Sequence, residues 1–372
     1  MSDVLILEGA RTPFTAWSSG TTGDGRKGGL LKGQDPFDLG AAALKGALAK
    51  AGVPPWRVDK VVFGNMYHVG AHACYGARYV GHRAGIPPEV PCLAVNLACG
   101  TGLQAVISAA EEIASGRAAL VAAVGADCAS MVRRDVFVPS FKDLSCGRHI
   151  AETAQDLSRE HGLSRSDQDR WAALSHDRAR AARRRGVFAE EIVPAGEASE
   201  DDAILPEPDP GFFERSKPLF EGGSGTHANT HAIVDGGSAL LLCAQAPPHG
   251  RALGRYLGGA VVGIEPGRMA YASVVAIRGL LVRLGLAVSD IDLFEINETF
   301  AAQILVDMKE LAIPEDRLNC NGGALALGHP FSATGARLVL TLLKELRRRS
   351  LKRGIASICV GGGLGVAVAV ER

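Results

Sequence analysis

The chain has 372 residues with 40 basic and 40 acidic side chains, so its formal net charge is zero. Such a chain has no general electrostatic attraction for nucleic acid or for an anionic membrane surface. Its apolar runs are also far shorter than the roughly 20 residues of a membrane-spanning helix, so we expect neither a nucleic-acid partner nor a membrane span.

The N-terminal segment predicts a first strand. It is apolar from Val4 to Leu7 and lacks the basic residues that precede the apolar part of a signal peptide. The glycine-rich segment 18–34 that follows predicts a surface loop. The eight cysteines are dispersed without a C-x-x-C pair, as is usual for buried thiols in a reducing compartment. We expect a soluble, cytoplasmic protein.

An internal repeat organises much of the chain. Residues 43–53 align with residues 276–286, an offset of 233 (276 minus 43), and Thr101-Gly102 align with Thr334-Gly335 at the same offset. Each copy predicts a helix that ends at a glycine, a strand, and then a glycine-rich turn that opens a second helix. We therefore predict an α/β fold of two similar halves, each with a mixed sheet.

The two predicted halves, residues 1–125 and 246–372, are separated by a segment of different composition. Within this segment, residues 153–185 predict one or two polar amphipathic helices, and residues 197–211 predict an irregular loop. A segment of this kind more often covers a site than forms a core. We predict a loop or cap insertion over residues 126–245.

Cys99 lies where an extended apolar run gives way to a helix pattern over residues 101–114. A thiol at a helix N-terminus is close to unpaired N–H groups and to the positive end of the helix dipole, which favour the thiolate and lower the pKa. This placement suits a nucleophile, and the alternative is a buried cysteine in a tight turn. The repeat has Ser332 at the equivalent position, so one half alone carries a thiol there.

His329 and Asn297 are two further candidates for chemistry. His329 lies between a glycine and a proline on a fixed turn, where it is either a structural hydrogen-bonding group or a positioned base. Asn297 and Glu298 come at the end of a predicted strand, where polar groups are costly unless they are used. The alternative for this pair is a cap for a helix over residues 299–311.

Cys359 ends an apolar strand and is followed by a glycine run that starts at Gly361. The run leads into another strand, whereas a dinucleotide-binding loop leads into a helix, so we reject nucleotide binding. The glycines instead allow backbone N–H groups to approach a reacting centre, as an oxyanion hole requires.

Two pairs of histidines with i, i+4 spacing lack a local third ligand, and we predict no metal site.

Four motifs in the same chain resemble the thiolase family. They are C-G-T-G-L from Cys99, N-E-T-F-A-A-Q from Asn297, N-G-G-A-L-A-L-G-H-P with His329, and C-V-G-G-G-L-G from Cys359. The resemblance covers nearly the whole chain and implies the thiolase-like fold, two five-stranded halves in an α-β-α-β-α arrangement with an inserted loop domain. It also implies a transferase of lipid or fatty-acid metabolism that moves acyl groups between coenzyme A (CoA) thioesters and makes or breaks the C–C bond of a 3-oxoacyl-CoA.

The resemblance assigns a role to each catalytic candidate. Cys99 takes the acyl group, His329 activates it, and Cys359 is the general acid/base for the α-carbon. One oxyanion hole is implied to be His329 with a water held by Asn297, and the other to be the backbone N–H groups of Cys99 and Gly361. The CoA thioester is the substrate, with no separate cofactor and no metal, and the chain is expected to form a homodimer or homotetramer.

The resemblance is weakest where the substrate is expected. This chain has His149-Ile150-Ala151 where the family usually has His-Met-Gly, and His231 in place of a serine that helps to hold the pantetheine arm. We predict intact catalysis with altered recognition. The alternatives are an acyl-binding subunit without turnover and a specialised condensing enzyme with a different acyl carrier. The candidate substrate- and CoA-binding residues are His149, Ile150, Lys217, Asn229, His231, Met269 and Phe300.

Overall fold

The structure, a computed structural model, describes residues 3–16, 29–31, 33–69, 72–207, 211–245 and 252–372. Most of the predicted glycine-rich surface loop lies outside these residues. The described residues form twelve strands and ten α-helices. The strands are Val4–Arg11 (β1), Thr15–Ala16 (β2), Lys60–Gly64 (β3), Cys92–Val95 (β4), Leu120–Asp127 (β5), Lys142–Asp143 (β6), Arg148–His149 (β7), Val234–Cys243 (β8), Gly254–Gly263 (β9), Leu293–Ile296 (β10), Arg353–Val360 (β11) and Leu364–Glu371 (β12). The helices are Pro36–Ala51 (α1), Gly76–Arg83 (α2), Thr101–Ala114 (α3), Arg134–Phe137 (α4), Ile150–Glu160 (α5), Arg165–Arg184 (α6), Ala272–Leu284 (α7), Ala301–Glu310 (α8), Ala324–Leu327 (α9) and Ser332–Arg348 (α10).

One mixed sheet runs through both halves in the order β10-β11-β12-β9-β1-β8-β5-β3-β4, and β2 adds to β8. The neighbours β5, β3 and β4 are parallel, as are β10 and β11, and the other neighbours are antiparallel. In the C-terminal half, the fifth strand that the resemblance implies is reduced to a parallel bridge between Phe294 and Leu318.

Strand β8 corrects one boundary of the predicted insertion. It lies within residues 126–245, yet it pairs with β1 on one side and β5 on the other. Every residue from Val234 to Cys243 is buried, although the rest of the segment is polar. A strand that is buried on both faces belongs inside the sheet. The residues that leave the sheet are therefore those between β5 and β8, which include helices α5 and α6.

Three apolar cores stack the elements into five layers. The first core, around Leu44, packs α1 and α2 on the strands of the N-terminal half. The second, around Leu338, holds α3 and α10 between the strands of both halves. The third, around Ile277, packs α7 and α8 on the strands of the C-terminal half. This arrangement is the predicted α-β-α-β-α stack, with α3 and α10 in its middle layer.

The repeat ends its first helix in the same way in both halves. Gly52 ends α1 with φ 63°, and Gly285 ends α7 with φ 66°. A left-handed residue at this position favours glycine because the absence of a Cβ removes the steric penalty. The predicted glycine stops are confirmed at both positions. Among the described helices, none is long and apolar enough to cross a membrane.

The two central helices touch backbone to backbone in their first turns. A Cβ atom placed on Gly335 of α10 would lie 2.0 Å from the backbone nitrogen of Leu103 and 2.3 Å from the carbonyl carbon of Gly102 in α3. Gly102 and Gly335 are equivalent positions of the repeat. The duplication therefore brings two helix N-termini together at one point between the halves.

We predict that Gly335→Ala destabilises the protein by about 3 kcal/mol or more, because the backbone atoms of α3 cannot move aside for the added methyl group. The matched control is Gly279→Ala in α7, where the added Cβ has its nearest neighbour at 3.9 Å. That variant should be as stable as the wild type or more stable by up to about 1 kcal/mol, since alanine is the better helix former. Urea unfolding of both variants checks the difference, and equal stabilities would contradict the tight crossing.

Candidate active site

Cys99 lies directly before the first turn of α3, as the sequence predicts. The residue before it, Ala98, has φ 45°, and the Thr101 hydroxyl donates to the Ala98 carbonyl at 2.6 Å while it accepts from Leu97 N–H at 2.8 Å. A non-glycine residue in the left-handed region costs about 1–3 kcal/mol and persists only where its surroundings hold it. The turn that presents the Cys99 sulfur is therefore fixed.

The equivalent turn before α10 has the same backbone strain and different chemistry. Phe331, the repeat partner of Ala98, has φ 37°, and its neighbour Ser332 begins α10. The backbone N–H of Ser332 donates to Asp127 at 2.9 Å, which ties this helix start to the end of β5. The two halves thus build matching turns, of which one presents a thiol.

Cys359 lies near the end of β11, and the next residue, Val360, packs on the turn that holds Cys99: a Cβ atom placed on Gly100 would lie 2.8 Å from Val360 Cγ2. The charge of Cys99 also raises the pKa of Cys359. The backbone N–H of Gly361 donates a hydrogen bond to the Cys99 sulfur. Asp143 accepts from the next residue, Gly362, at 2.9 Å and so holds the glycine loop from the β6–β7 hairpin. The structure therefore brings both predicted thiols and the predicted backbone donor to one place.

Burial reverses the expected effect of the helix N-terminus on Cys99. It raises the pKa of Cys99 to about 12, which the Gly361 hydrogen bond only partly offsets. Burial also raises the pKa of Cys359 above its ordinary range. In this site both thiols are protonated at neutral pH, because the low polarity around them penalises a thiolate more than nearby N–H groups favour it. A thiol in this state needs a base before it can act as a nucleophile.

His329 supplies a fully buried imidazole, and its ring centroid lies 5.1 Å from that of Phe331 in the turn before α10. Its Nδ1 lies 2.6 Å from the Thr334 hydroxyl, and its backbone N–H donates to Ala232 at 2.9 Å. Its Nε2 is buried without a hydrogen-bond partner among the described residues. Burial, and then the charges of His231 and Arg337, hold the pKa of His329 well below its usual value. In the neutral tautomer with its proton on Nδ1, the Nδ1 N–H donates to the Thr334 hydroxyl and Nε2 presents a free lone pair.

Asn297 and Glu298 have different surroundings, although they are neighbours in the sequence. Asn297 donates from Nδ2 to the Thr299 hydroxyl at 2.9 Å, and its buried Oδ1 has no partner among the described residues. Such a buried acceptor suits an ordered water. Glu298 is fully used by the fold, since its carboxylate accepts hydrogen bonds from Trp171, Ser175, Asn319 and Leu325.

His231 lies next to the catalytic candidates. Its ring meets the His329 ring edge to face, with 5.0 Å between ring centroids, and its backbone N–H donates to the Thr299 carbonyl at 3.3 Å. Burial lowers the pKa of His231 to about 4. The residue that departs from the family pattern thus contacts the proposed base directly.

The remaining substrate-binding candidates fall into two groups. Ile150, Met269 and Phe300 share one apolar cluster with Cys359, so they line the surroundings of a thiol. The other three residues occupy capping, structural and surface positions. His149 caps α5, Asn229 is engaged with Thr226, Asp169 and Ser224, and Lys217 is exposed.

The sequence assigns no role to two hydroxyl residues of the site, Thr299 and Thr334. Thr299 lies inside the motif that starts at Asn297, and Thr334 aligns with Thr101 in the repeat. The sequence therefore showed where they are but not which residues they contact. In the described ranges, no three His, Cys, Asp or Glu side chains cluster closely enough to hold a metal ion.

Two buried thiols and a buried imidazole, whose Nε2 has no partner among the described residues, are typical of an enzyme that uses a cysteine nucleophile. The thiolase N-terminal domain family matches residues 4–136 and 126–246, and the thiolase C-terminal domain family matches residues 251–372. The chain belongs to the thiolase family, which confirms the resemblance inferred from the motifs.

Relatives of this chain match it over its full length. It is 35% identical to an acetyl-CoA acetyltransferase of Cupriavidus necator, with 100% of both chains covered, and 34% identical to a mitochondrial 3-ketoacyl-CoA thiolase of Bos taurus, with 99% of this chain and 98% of the relative covered. The crystal structure of human mitochondrial 3-ketoacyl-CoA thiolase in complex with CoA superimposes with a TM-score of 0.94 at 33% identity, over 100% of this chain and 98% of that one. The predicted fold class is confirmed.

We predict that His231→Ser makes the stability of the protein less sensitive to acid. The folded state keeps His231 neutral down to about pH 4, whereas the unfolded imidazole takes a proton near pH 6.5, so this group's contribution is present above pH 6.5 and is lost as the pH falls. From pH 6.5 to pH 4 the wild type should lose about 2–3 kcal/mol more than the variant. Chemical unfolding at several pH values checks this, and parallel stability curves would contradict it.

Proposed function

We propose that the protein is a thiolase that transfers acyl groups between CoA thioesters and forms or breaks the C–C bond of a 3-oxoacyl-CoA. The observation that carries the proposal is the meeting of two buried thiols, Cys99 and Cys359, with the Gly361 N–H at the first of them. One thiol can hold an acyl group while the other moves a proton, a division that this reaction requires.

In the first step, Cys99 takes the acyl group from a thioester. His329 Nε2 accepts the thiol proton as the sulfur attacks the carbonyl carbon, and the Gly361 and Cys99 N–H groups stabilise the oxyanion that forms. The C–S bond to the leaving group breaks, and the departing thiolate takes this proton from His329. Because the Cys99 pKa is raised to about 12, the proton must move together with the attack.

In the second step, Cys359 acts on the α-carbon of a second thioester. Its thiol first gives its proton to solvent. The thiolate then removes an α-proton, and the resulting carbanion attacks the acyl carbonyl on Cys99. The C–C bond forms as the C–S bond to Cys99 breaks, and the Cys99 thiolate takes a proton from the Cys359 thiol, which returns Cys359 to the thiolate. In this step His329 carries its proton on Nε2 and accepts from the Thr334 hydroxyl at Nδ1, so its Nε2 N–H and a water on the free Oδ1 of Asn297 donate to the enolate oxygen. Cleavage of a 3-oxoacyl-CoA is the reverse sequence.

A specialised condensation with a different acyl carrier is the second candidate, and His231 favours it. The imidazole is larger than a serine side chain and lies 5.0 Å, centroid to centroid, from the His329 ring. A pantetheine arm in this position would meet a ring instead of a hydroxyl group. Titration calorimetry with CoA and with a carrier-bound thioester separates the two candidates, since the ordinary thiolase binds CoA.

We also propose that the chain forms a homodimer or homotetramer and works in the cytoplasm. Strand β4 is an edge strand of the sheet, and Leu93 on it is 41% exposed, so its free backbone groups can pair with a second copy. All eight cysteines are unpaired, which fits a reducing compartment and is required for two working thiols.

We predict that Cys99→Ser forms no acyl adduct at position 99, and that Cys359→Ala still forms one. Incubation with acetyl-CoA, which acylates Cys99 without cleavage of a C–C bond, followed by intact mass spectrometry and peptide mapping, measures the adduct. Both variants should lose at least about 100-fold in turnover of 3-oxoacyl-CoA substrates from short to long chain.

The control for these variants is Cys243→Ser, which removes another buried thiol and should keep both adduct and turnover. An adduct on a different cysteine would contradict the assignment of the nucleophile. Folded wild-type protein that binds acyl-CoA without any adduct or turnover would instead indicate an acyl-binding subunit.

A further inference from the structure

The hydroxyl of Thr299 joins two residues of the proposed active site. It accepts a hydrogen bond from Asn297 Nδ2 at 2.9 Å and another from the Cys359 thiol, with Sγ 3.4 Å from Oγ1. All three side chains are buried. A single oxygen atom therefore contacts both the proposed water-holding amide and the proposed acid/base.

The backbone around Thr299 is held from three directions. Its N–H donates to Gln303 Oε1 at 3.1 Å and to the Asn297 carbonyl at 3.0 Å, and its own carbonyl accepts from His231 N–H at 3.3 Å. Gln303 is in turn hydrogen-bonded to the buried carboxylate of Asp307. The hydroxyl is thus presented to Cys359 by a rigid frame.

We propose that Thr299 is a positioning residue for Cys359: its hydroxyl orients the thiol, stabilises the thiolate, and couples both to the amide of Asn297. This inference rests on the proposed function and adds a residue to it. A hydroxyl group suits both states of the sulfur, since it accepts a hydrogen bond from the thiol and donates one to the thiolate. An apolar side chain of the same shape can do neither.

The charges near Cys359 make this hydrogen bond important. The titratable groups that act on Cys359 are Cys99, from the turn before α3, and Asp307 of α8, and both disfavour a second negative charge. Burial raises the pKa of Cys359 further, whereas the Thr299 hydrogen bond lowers it. Among the described residues, no cation is one of the main influences on the pKa of this sulfur. The stability of the Cys359 thiolate therefore depends on hydrogen bonds.

The proton balance of the step is unchanged by Thr299. In the condensation direction, the α-proton of the second thioester passes to the Cys359 sulfur, and the O–H of Thr299 rotates from the thiolate back to an accepting position. Thr299 loses and gains no proton overall. Its effect is on how readily Cys359 gives and takes one.

The test compares Thr299→Val, which keeps the shape and removes the hydroxyl, with Thr299→Ser, which keeps the hydroxyl. In Thr299→Val, formation of the acyl adduct on Cys99 should stay within about twofold of wild type, because that half-reaction does not use Cys359. The C–C bond step should slow about tenfold, as expected for the loss of one hydrogen bond to a charged group. The alkaline rise in kcat/KM should move up by about one pH unit, since the thiolate is harder to form.

Thr299→Ser should restore most of the C–C rate and the wild-type pH profile. Thr299→Ala is the second variant if the valine methyl groups disturb folding, and thermal melting of each variant monitors the fold. Wild-type C–C rates in Thr299→Val would overturn the proposal. Equal losses in both half-reactions, without a pH shift and without rescue by serine, would also overturn it, because they indicate a purely structural role. A wild-type protein that forms no adduct on Cys99 would instead refute the proposed function.

Discussion

The backbone contact between α3 and α10 is the constraint on which the site depends. Two helices can approach this closely only where neither carries a side chain at the crossing, and Gly102 and Gly335 meet that condition at equivalent points of the repeat. The contact lies in the first turn of each helix. It therefore places the strained turns at Ala98 and Phe331, which precede these helices, at the same end of the middle layer. The position of the Cys99 sulfur follows from this crossing.

Burial at the crossing sets the electrostatics of the site. The same loss of solvation raises the pKa of Cys99 and lowers that of His329, so both groups are neutral in the unliganded protein. A neutral, dry site makes hydrogen bonds worth more than they are in water, and an unpaired polar atom correspondingly costs more. The unpartnered Nε2 of His329 and Oδ1 of Asn297 are costs of this kind. A substrate oxygen would pair Nε2 when the ring proton is on that atom, and a water would pair Oδ1.

Much of this arrangement could be predicted from the sequence, and the part that could not has a physical explanation. The repeat predicted the two halves and the helix that starts after Cys99, because periodicity and glycine stops are local signals. Strand β8 was not predicted as part of the sheet, because it lies in a mostly polar segment. Its place in the sheet depends on pairing with strands that are distant in the sequence. The motifs placed Asn297 and Cys359, whereas the bridge that Thr299 makes between them depends on distances that no spacing reveals. The pKa of Cys99 was expected to fall and rises instead, because burial depends on the whole fold.

The central claim is that the two thiols divide the reaction, with the acyl group on Cys99 and proton transfer at the α-carbon on Cys359. The most direct measurement is deuterium exchange from D₂O into the methyl group of acetyl-CoA, followed by NMR, for the Cys99→Ser and Cys359→Ala variants. The account predicts that exchange continues in Cys99→Ser, which keeps the proton-transferring thiol, and stops in Cys359→Ala. Exchange that survives in Cys359→Ala and is lost in Cys99→Ser would contradict it.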